Sequence, residues 1–156
     1  MKSLKGSQTE KNILTAFAGE SQARNRYDFC AGVAKKDGFV LVEEIFLETA
    51  CQEREHAKRL FKFLEGGEVE IQAAYPAGVI AGSEANLLAS AHGENYEHTE
   101  MYPSMASTAE KEGFAEVAFA MRHIAVAEAY HEKRFLKLAS DIKEGRMFLR
   151  SKPTVW

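Results

Sequence analysis

Hydrophobic residues recur every three or four positions along most of this chain, a spacing that predicts amphipathic helices. Strong helix formers dominate the sequence and runs of β-branched residues are scarce, which also favours helices over strands. Glycines divide the pattern into segments, and Asp37-Gly38, Gly66-Gly67 and Gly113 mark places where helices end. The predicted helices cover residues 8–36, 39–65, 83–113 and 114–144.

The connections between the predicted helices differ in length, and this constrains the architecture. Short breaks join helices 1 and 2 and helices 3 and 4, whereas a long segment containing Ala-Tyr-Pro-Ala-Gly links helices 2 and 3. One long crossover is typical of a ferritin-like four-helix bundle, so we expect an all-α protein of this class. Pro103 lies within the third helix and is expected to kink it. We expect residues 1–146 to form the bundle and residues 147–156 a C-terminal tail.

Charged and polar residues interrupt the apolar stripe of each helix near its middle. The stripe of the fourth helix runs from Val117 to Ile142 and that of the first helix from Ile13 to Ala31, with Arg24 on it. A carboxylate on such a stripe points toward the core of the bundle. The stripe residues of this kind are Glu20 in helix 1, Glu53 and His56 in helix 2, Glu94 in helix 3, and Glu128 and His131 in helix 4, with Glu97 one turn beyond Glu94.

The second half of the chain repeats the first. The segment EREHAKRLFKFL begins at Glu53 and matches EAYHEKRFLKLA, which begins at Glu128, at five of twelve positions and an offset of 75 (128 minus 53). Gly19-Glu20 and Gly93-Glu94 match at an offset of 74 (94 minus 20). The chain is therefore predicted to be a duplicated helical hairpin. Packing of the two hairpins about a pseudo-twofold axis would bring the four helix centres together.

The spacing Glu-x-x-His places both side chains on one face of a helix, one turn apart. Two such motifs, with one Glu from each remaining helix, form the ligand set of carboxylate-bridged di-iron and di-manganese bundles. Ionised carboxylates crowded in an apolar core repel one another, and two divalent cations compensate this charge. The lack of thiolates disfavours an iron–sulfur or structural zinc site. The alternative is that these glutamates are exposed and pair with lysines and arginines.

Composition and charge exclude several other classes of protein. The chain has 156 residues, of which 46% are hydrophobic and 28% charged, as is typical of a globular domain. A formal net charge of −3 argues against nucleic-acid binding. Cys30 and Cys51 form no Cys-x-x-Cys pair, and both are expected in or near the core. No signal peptide or membrane-spanning run is visible, so we expect a soluble, cytoplasmic protein.

The residues that carry this ligand set resemble rubrerythrin, a family of non-haem di-iron peroxidases with a ferritin-like bundle. The resemblance extends over nearly the whole chain, through SLKGSQTEKNILTAFAGESQARNRY, ETACQEREHAKRLFKFLEGGEVEI and IAVAEAYHEKRF. It implies two iron ions, oxo-bridged when oxidised, that reduce hydrogen peroxide. It also implies an external electron donor, such as a rubredoxin-type protein. Zinc or manganese can occupy such a site instead of iron.

The resemblance implies a role for each candidate residue. It implies Glu53 and Glu128 as bridging ligands, Glu20 and Glu94 as terminal carboxylates, and His131 as a ligand of the second iron. It further implies that the first iron exchanges between Glu97 in the oxidised state and His56 in the reduced state. Tyr27 and Tyr102 fall where the family places tyrosines that hydrogen-bond to the site carboxylates.

The chain also departs from the family pattern at its C-terminal end. Rubrerythrins usually continue into a rubredoxin-like domain with two Cys-x-x-Cys pairs, whereas this sequence ends at Trp156, about where that domain would begin. We therefore expect either a one-domain form or a fragment, without a built-in entry point for electrons. A homodimer is expected from the resemblance alone, and the long connection allows exchange of helices between subunits.

Other functions stay open at this point. A ferroxidase or iron-binding protein related to ferritins would use similar ligands, although it needs no extra carboxylate such as Glu97. A metal-free bundle that binds other proteins is a further alternative. His98 adjoins Glu97 but points about 100° away around the helix, so it is not expected to bind metal. The pairs Lys58-Arg59 and Lys133-Arg134 are expected on solvated faces.

Overall fold

The computed structural model describes residues 2–149, and these fold into helices packed as four rods. A π-helical segment, Glu97–Met101, joins the third helix to the fourth, so that the two form one rod. Of the predicted tail, residues 150–156 lie outside the described part of the chain. The α-helices are α1 (Gln8–Lys36), α2 (Val40–Phe61), α3 (Ser83–Tyr96), α4 (Tyr102–Lys111) and α5 (Ala115–Lys143).

The rods pack as two hairpins, as the internal repeat predicts. Helix α1 packs mainly against α2, and the rod formed by α3 and α4 packs mainly against α5. Residues 62–82 form one long crossover between the hairpins, which confirms the predicted ferritin-like four-helix bundle. Two apolar clusters fill the bundle, one around Tyr27, Phe46 and Phe135 and the other around Ile13 and Met121. The polar residues of the helix centres lie between these clusters.

The predicted end of the second helix is wrong by four residues. Helix α2 ends at Phe61 rather than at residue 65. Beyond it the amide of Phe63 donates to the carbonyl of Leu60 at 3.1 Å, and that of Leu64 donates to the carbonyl of Phe61 at 3.1 Å. Bonds of this shorter span tighten the last turn and end the α-helix before the glycines are reached.

The third rod is interrupted in a different way from the predicted kink at Pro103. The π-helical segment Glu97–Met101 precedes the proline, which lies in the first turn of α4. Proline lacks an N–H group, and in a regular α-helix its ring collides with the carbonyl four residues earlier. The wider π turn before it and the start of a new helix accommodate both restrictions.

The π-helical segment also accounts for a change in the offset of the repeat. Glu20 and Glu94 are 74 positions apart, whereas Tyr27 and Tyr102 are 75 apart (102 minus 27). The second hairpin therefore contains one more residue than the first between these points. The π-helical segment Glu97–Met101 lies in this interval and absorbs the extra residue without disturbing the helix on either side.

Two residues predicted to be inward-facing are exposed. Arg24 lies on the surface and its guanidinium is 3.5 Å from the Asp28 carboxylate, because the buried face of α1 passes through the neighbouring Ala23 instead. Cys30 is buried, but Cys51 is exposed, so the predicted location is wrong for Cys51. Within residues 2–149, no helix is both long and apolar enough to cross a membrane.

Candidate metal centre

Six ionisable side chains from all four rods converge at the centre of the bundle. The four glutamates are almost completely buried, at 0–1% exposure. The imidazole of His131 is also buried, whereas the side chain of His56 is 17% exposed. The converging residues are Glu20 on α1, Glu53 and His56 on α2, Glu94 on α3, and Glu128 and His131 on α5.

The six residues form two overlapping groups of possible ligands. Glu53 and Glu128 belong to both groups, so each could be shared by two ions. Within each group, one ligand atom per residue lies within 4.8 Å of all the others. The first group is Glu20, Glu53, His56 and Glu128, and the second is Glu53, Glu94, Glu128 and His131.

Each shared carboxylate directs one oxygen toward each histidine. The Nδ1 atom of His56 is 2.9 Å from Oε1 of Glu128 and 3.2 Å from Oε2 of Glu53. The Nδ1 atom of His131 is 2.7 Å from Oε2 of Glu128 and 3.1 Å from Oε1 of Glu53. The two imidazole rings stack with their centroids 6.0 Å apart. Each histidine therefore lies close to one oxygen of Glu53 and one oxygen of Glu128.

Several buried polar atoms in this cluster lack a hydrogen-bond partner, and a metal ion would provide one. Close approach alone does not satisfy them: Nδ1 of His131 lies 2.7 Å from Oε2 of Glu128, yet both atoms are without a hydrogen-bond partner. Four carboxylates also match the charge of two divalent cations, and carboxylate with imidazole suits iron or manganese. The unpartnered atoms are Oε2 of Glu20, Oε1 of Glu53, Oε2 of Glu94, both oxygens of Glu128 and Nδ1 of His131.

Burial and crowding of the carboxylates make the cluster retain protons when no metal balances its charge. Burial, reinforced by the negative charge of Glu53, raises the pKa of Glu20 to about 8. Burial likewise raises the pKa of Glu94 well above its usual range. Burial lowers the pKa of His131, but contact with Glu128 and the other carboxylates outweighs this and raises it to about 12. Metal binding at this centre would therefore displace protons.

Glu97 lies outside both groups of ligands, on the π-helical segment Glu97–Met101. Its side chain is partly buried and near the cluster, since burial and the charges of Glu20 and Glu94 raise the pKa of its carboxyl group well above the usual range. His98 is directed elsewhere, with its Nε2 atom 2.7 Å from the Glu132 carboxylate. The structure thus brings six of the seven candidate ligands together and holds the seventh nearby.

Two buried tyrosines donate hydrogen bonds to the carboxylates that are not shared between the groups. The hydroxyl of Tyr27 donates to Oε1 of Glu94, and that of Tyr102 donates to Oε1 of Glu20. Burial, together with the neighbouring carboxylate, raises the pKa of each phenol well above its usual range, so both remain protonated donors. Each bond leaves Oε2 of the same carboxylate free to face the centre.

Gln52, which the sequence pattern does not reveal as a site residue, orients one histidine of the cluster. The Oε1 atom of Gln52 accepts a hydrogen bond from Nε2 of His131 at 2.8 Å. A proton fixed on Nε2 leaves Nδ1 to face the shared carboxylates, which is the arrangement that a metal-binding imidazole requires. Gln52 directly precedes Glu53 and lies off the inward stripe of α2, so the periodicity gave no reason to select it.

The comparisons with known proteins agree with this geometry. The family model described as rubrerythrin matches residues 11–139. The chain belongs to the rubrerythrin family. A rubrerythrin of Nitratidesulfovibrio vulgaris is 69% identical over 156 residues, a match that spans all of this chain and 82% of that protein. A rubrerythrin of Porphyromonas gingivalis is 55% identical over 155 residues, with 99% and 78% of the two chains covered.

Solved structures show the same rubrerythrin-type bundle. A structure described as the fully reduced, all-ferrous state of nigerythrin superimposes with a TM-score of 0.75 at 28% identity, covering 91% of this chain and 73% of that one. Symerythrin from Cyanophora paradoxa, reduced with dithionite, gives 0.76 at 20% identity, with 91% and 89% of the two chains covered, and supports the fold alone. Family membership and the buried Glu/His clusters together indicate a di-iron protein.

Proposed function

We propose that the six converging residues hold two iron ions in the bundle core. Glu53 and Glu128 bridge the ions because each belongs to both ligand groups. The observation that carries the proposal is the concentration of unpartnered atoms at these residues. Within residues 2–149, every buried side-chain oxygen or nitrogen without a hydrogen-bond partner, apart from Nε of Arg26, belongs to them. The remaining ligands divide as Glu20 and His56 for one ion and Glu94 and His131 for the other.

The reaction that we propose is the reduction of hydrogen peroxide to water. When bound, a pair of ferrous ions supplies the two electrons that one peroxide molecule requires to give two molecules of water. The chain itself supplies the charge balance, the geometry and a water-poor core. Tyr27 and Tyr102 hold the two terminal carboxylates in place from outside, so these groups need little reorganisation.

Two protons accompany the two electrons, and Glu97 is the group that we propose to hold one of them. Its carboxyl group has a raised pKa, is partly buried and lies outside the ligand groups. A protonated carboxyl beside the centre can donate to a leaving oxygen. The position of His56 within its ligand group and of Glu97 outside corresponds to the reduced arrangement that the family resemblance implies.

Hydrogen peroxide as substrate, a rubredoxin-type electron donor, a homodimer and a cytoplasmic location stay predictions from the resemblance. Manganese or zinc in place of iron stays a prediction as well. The alternative function, a ferroxidase or iron-binding protein, would use the same six residues, so it must be separated by reactivity. The discriminating property is the choice between peroxide and O₂ as the oxidant.

Anaerobic mixing of the diferrous protein with hydrogen peroxide tests the proposal. We expect two irons to be oxidised per peroxide, much faster than by O₂, and an optical spectrum of an oxo-bridged diferric product. Faster oxidation by O₂, or growth of a ferric mineral, would instead favour the ferroxidase.

A matched pair of variants tests the ligand assignment. Glu94→Gln should lower the iron content, whereas Glu132→Gln, which changes a partly buried carboxylate outside the clusters, should not.

A further inference from the structure

Helices α2 and α5 meet along a line of contact, here called the seam, which runs past the proposed metal centre. Polar side chains close the seam at one end. Both guanidinium nitrogens of Arg134 on α5 donate to the two carboxylate oxygens of Glu48 on α2, each at 3.0 Å. Gln52 on α2 adds its bond to His131 at 2.8 Å. Beneath these contacts the His131 side chain is only 4% exposed. The bidentate ion pair and the amide together close the bundle above one ligand group.

The internal repeat identifies the matching end of the seam, where the sealing residues are replaced. At the offset of 75, His56 and Arg59 of α2 correspond to His131 and Arg134 of α5. On the opposing helix, Glu48 corresponds to His123 and Gln52 corresponds to Ala127 (123 minus 48; 127 minus 52). Arg59 therefore corresponds to Arg134, but the Glu48 carboxylate and the Gln52 amide have no counterpart at the repeat-related positions.

At this second end the seam is open. Within residues 2–149, Arg59 has no carboxylate partner and instead lies over the ring of Phe63, with 4.8 Å between its guanidinium carbon and the ring centroid. The side chain of His56, which reaches the cluster from this side, is 17% exposed, against 4% or less for the other five residues of the two ligand groups. A cavity of about 330 Å³ occupies the gap and is lined by His56, Arg59, Phe119, Ala120, His123 and Ile124.

We propose that this cavity is the route by which small molecules and metal ions reach and leave the proposed metal centre. The inference rests on the proposed centre but assigns a role to Arg59, Phe119 and His123, which belong to neither ligand group. Phe119 and His123, one turn apart on α5, form one wall, with ring centroids 4.0 Å apart. The opposite wall is His56 with Arg59, and the unpaired state of this arginine keeps the seam open.

Closing the opening with a copy of the sealing ion pair tests the route. His123→Glu places a carboxylate opposite Arg59, as Glu48 lies opposite Arg134. In protein loaded with Co(II), we expect excess EDTA to remove the metal about tenfold more slowly, as for an entry barrier raised by about 1.4 kcal/mol. The matched control is His123→Glu with Arg59→Gln, which keeps the new charge but lacks its partner, and should release Co(II) at the original rate. Equal rates in both variants and the unmodified protein would overturn the route.

Widening the opening gives the opposite test. Phe119→Ala should accelerate Co(II) release, whereas Phe61→Ala, a similarly exposed phenylalanine that packs against Phe17 on the α1–α2 face, should not. Acceleration by Phe61→Ala alone would overturn the route. The absorption bands of Co(II) report both release and occupancy without any peroxide. Failure to bind two Co(II) ions would overturn the metal centre and the route with it, whereas normal binding with unaltered release would overturn only the route.

Discussion

Asp37 accepts two hydrogen bonds from Ser83, one from its backbone N–H at 3.1 Å and one from its hydroxyl at 2.7 Å. Asp37 follows the last residue of α1 and Ser83 is the first residue of α3. Glu112, which follows α4, binds the N–H and hydroxyl of Thr9 at the start of α1 in the same way, at 2.8 and 2.6 Å. A carboxylate at the start of a helix satisfies free N–H groups and complements the helix dipole. These two repeat-related pairs therefore tie the hairpins to each other.

The two pairs, Asp37 with Ser83 and Glu112 with Thr9, predict similar losses of protein stability when either is broken. Ser83→Ala and Thr9→Val should each lower the free energy of unfolding by about 1 kcal/mol, because each removes a hydroxyl donor from a carboxylate. Urea denaturation of the metal-loaded protein measures the change. Ser104→Ala, an exposed position in α4, is the control and should have no effect. An equal loss for Ser83→Ala in an Asp37→Ala background would show that the pair is not responsible.

The π-helical segment predicts an unusual tolerance to deletion. Removal of Thr99 should restore the offset of 74 through the second hairpin and convert Glu97–Met101 to regular α-helix, because this segment holds the extra residue. We expect the helical content measured by circular dichroism and cooperative unfolding to be retained.

Deletion of Gln22 from α1 is the matched control for that experiment. Helix α1 is regular at this point, so the loss of one residue would rotate every later side chain by about 100° and expose its core face. The Gln22 deletion should therefore fail to fold cooperatively. Equal damage from both deletions would contradict the assignment of the extra residue to the π-helical segment.

The hydrogen bond between Gln52 and His131 predicts that metal affinity can be lowered without removing a ligand. Gln52→Leu removes the acceptor for Nε2 of His131, so the imidazole no longer has a fixed orientation. Loss of such a partner typically weakens metal binding by about 10- to 100-fold, and competition with a chelator measures it. Gln72→Leu, an exposed glutamine of the crossover, should leave the affinity unchanged. An unchanged affinity in Gln52→Leu would show that the hydrogen bond does not orient the ring.

The raised pKa values predict the pH dependence of the metal-free protein. Glu20 has a pKa of about 8 in the folded protein against 4.5 for the free group, and His131 about 12 against 6.5. Both groups therefore hold protons in the folded state that the unfolded chain has released. The stability that Glu20 contributes is complete below pH 4.5 and is lost as the pH rises through about 8. The stability that His131 contributes is complete below pH 6.5 and is lost as the pH rises through about 12.

Thermal unfolding in excess chelator tests that dependence. We expect the melting temperature of the metal-free protein to fall by about 5 °C or more between about pH 6 and about pH 9. The affinity for metal should instead rise with pH over this range, because protons compete with the metal for the same atoms. A metal-free melting temperature that rises over this range would contradict the proton-holding cluster.

Much of the bundle and of its centre follows from periodicity alone. Glu128 and His131 are predictable because they lie on an otherwise apolar stripe, and the repeat then gives Glu53 and His56 without further information. Asp37 is not predictable in this way, since its partner Ser83 is distant in the chain and only the packing of the two hairpins brings them together. Contacts of this kind depend on three-dimensional arrangement rather than on spacing.

Two other differences between the predicted and the observed structure, at Pro103 and at Arg24, have local causes. Pro103 correctly signals an interruption, but whether a helix responds by kinking or by adopting a π turn depends on the residues available to fill the wider turn. The sequence pattern places Arg24 on the inner stripe because Glu20, four residues before it, and Tyr27, three residues after it, belong to that stripe. The actual inner face of α1 uses small residues such as Ala16 and Ala23, which permit close packing of helices and contribute little to a hydrophobic pattern.

One inserted residue is enough to make the two halves of this duplicated protein chemically distinct. The first hairpin has Gln22 or Ala23 where the second has Glu97, so only one flank of the cluster carries a spare acidic group. Two ions held between these flanks would be inequivalent, and a titration with Co(II) should resolve a tighter and a weaker step. Asymmetry of this sort would give each bound ion its own reduction potential, a property that two identical copies of the hairpin would lack.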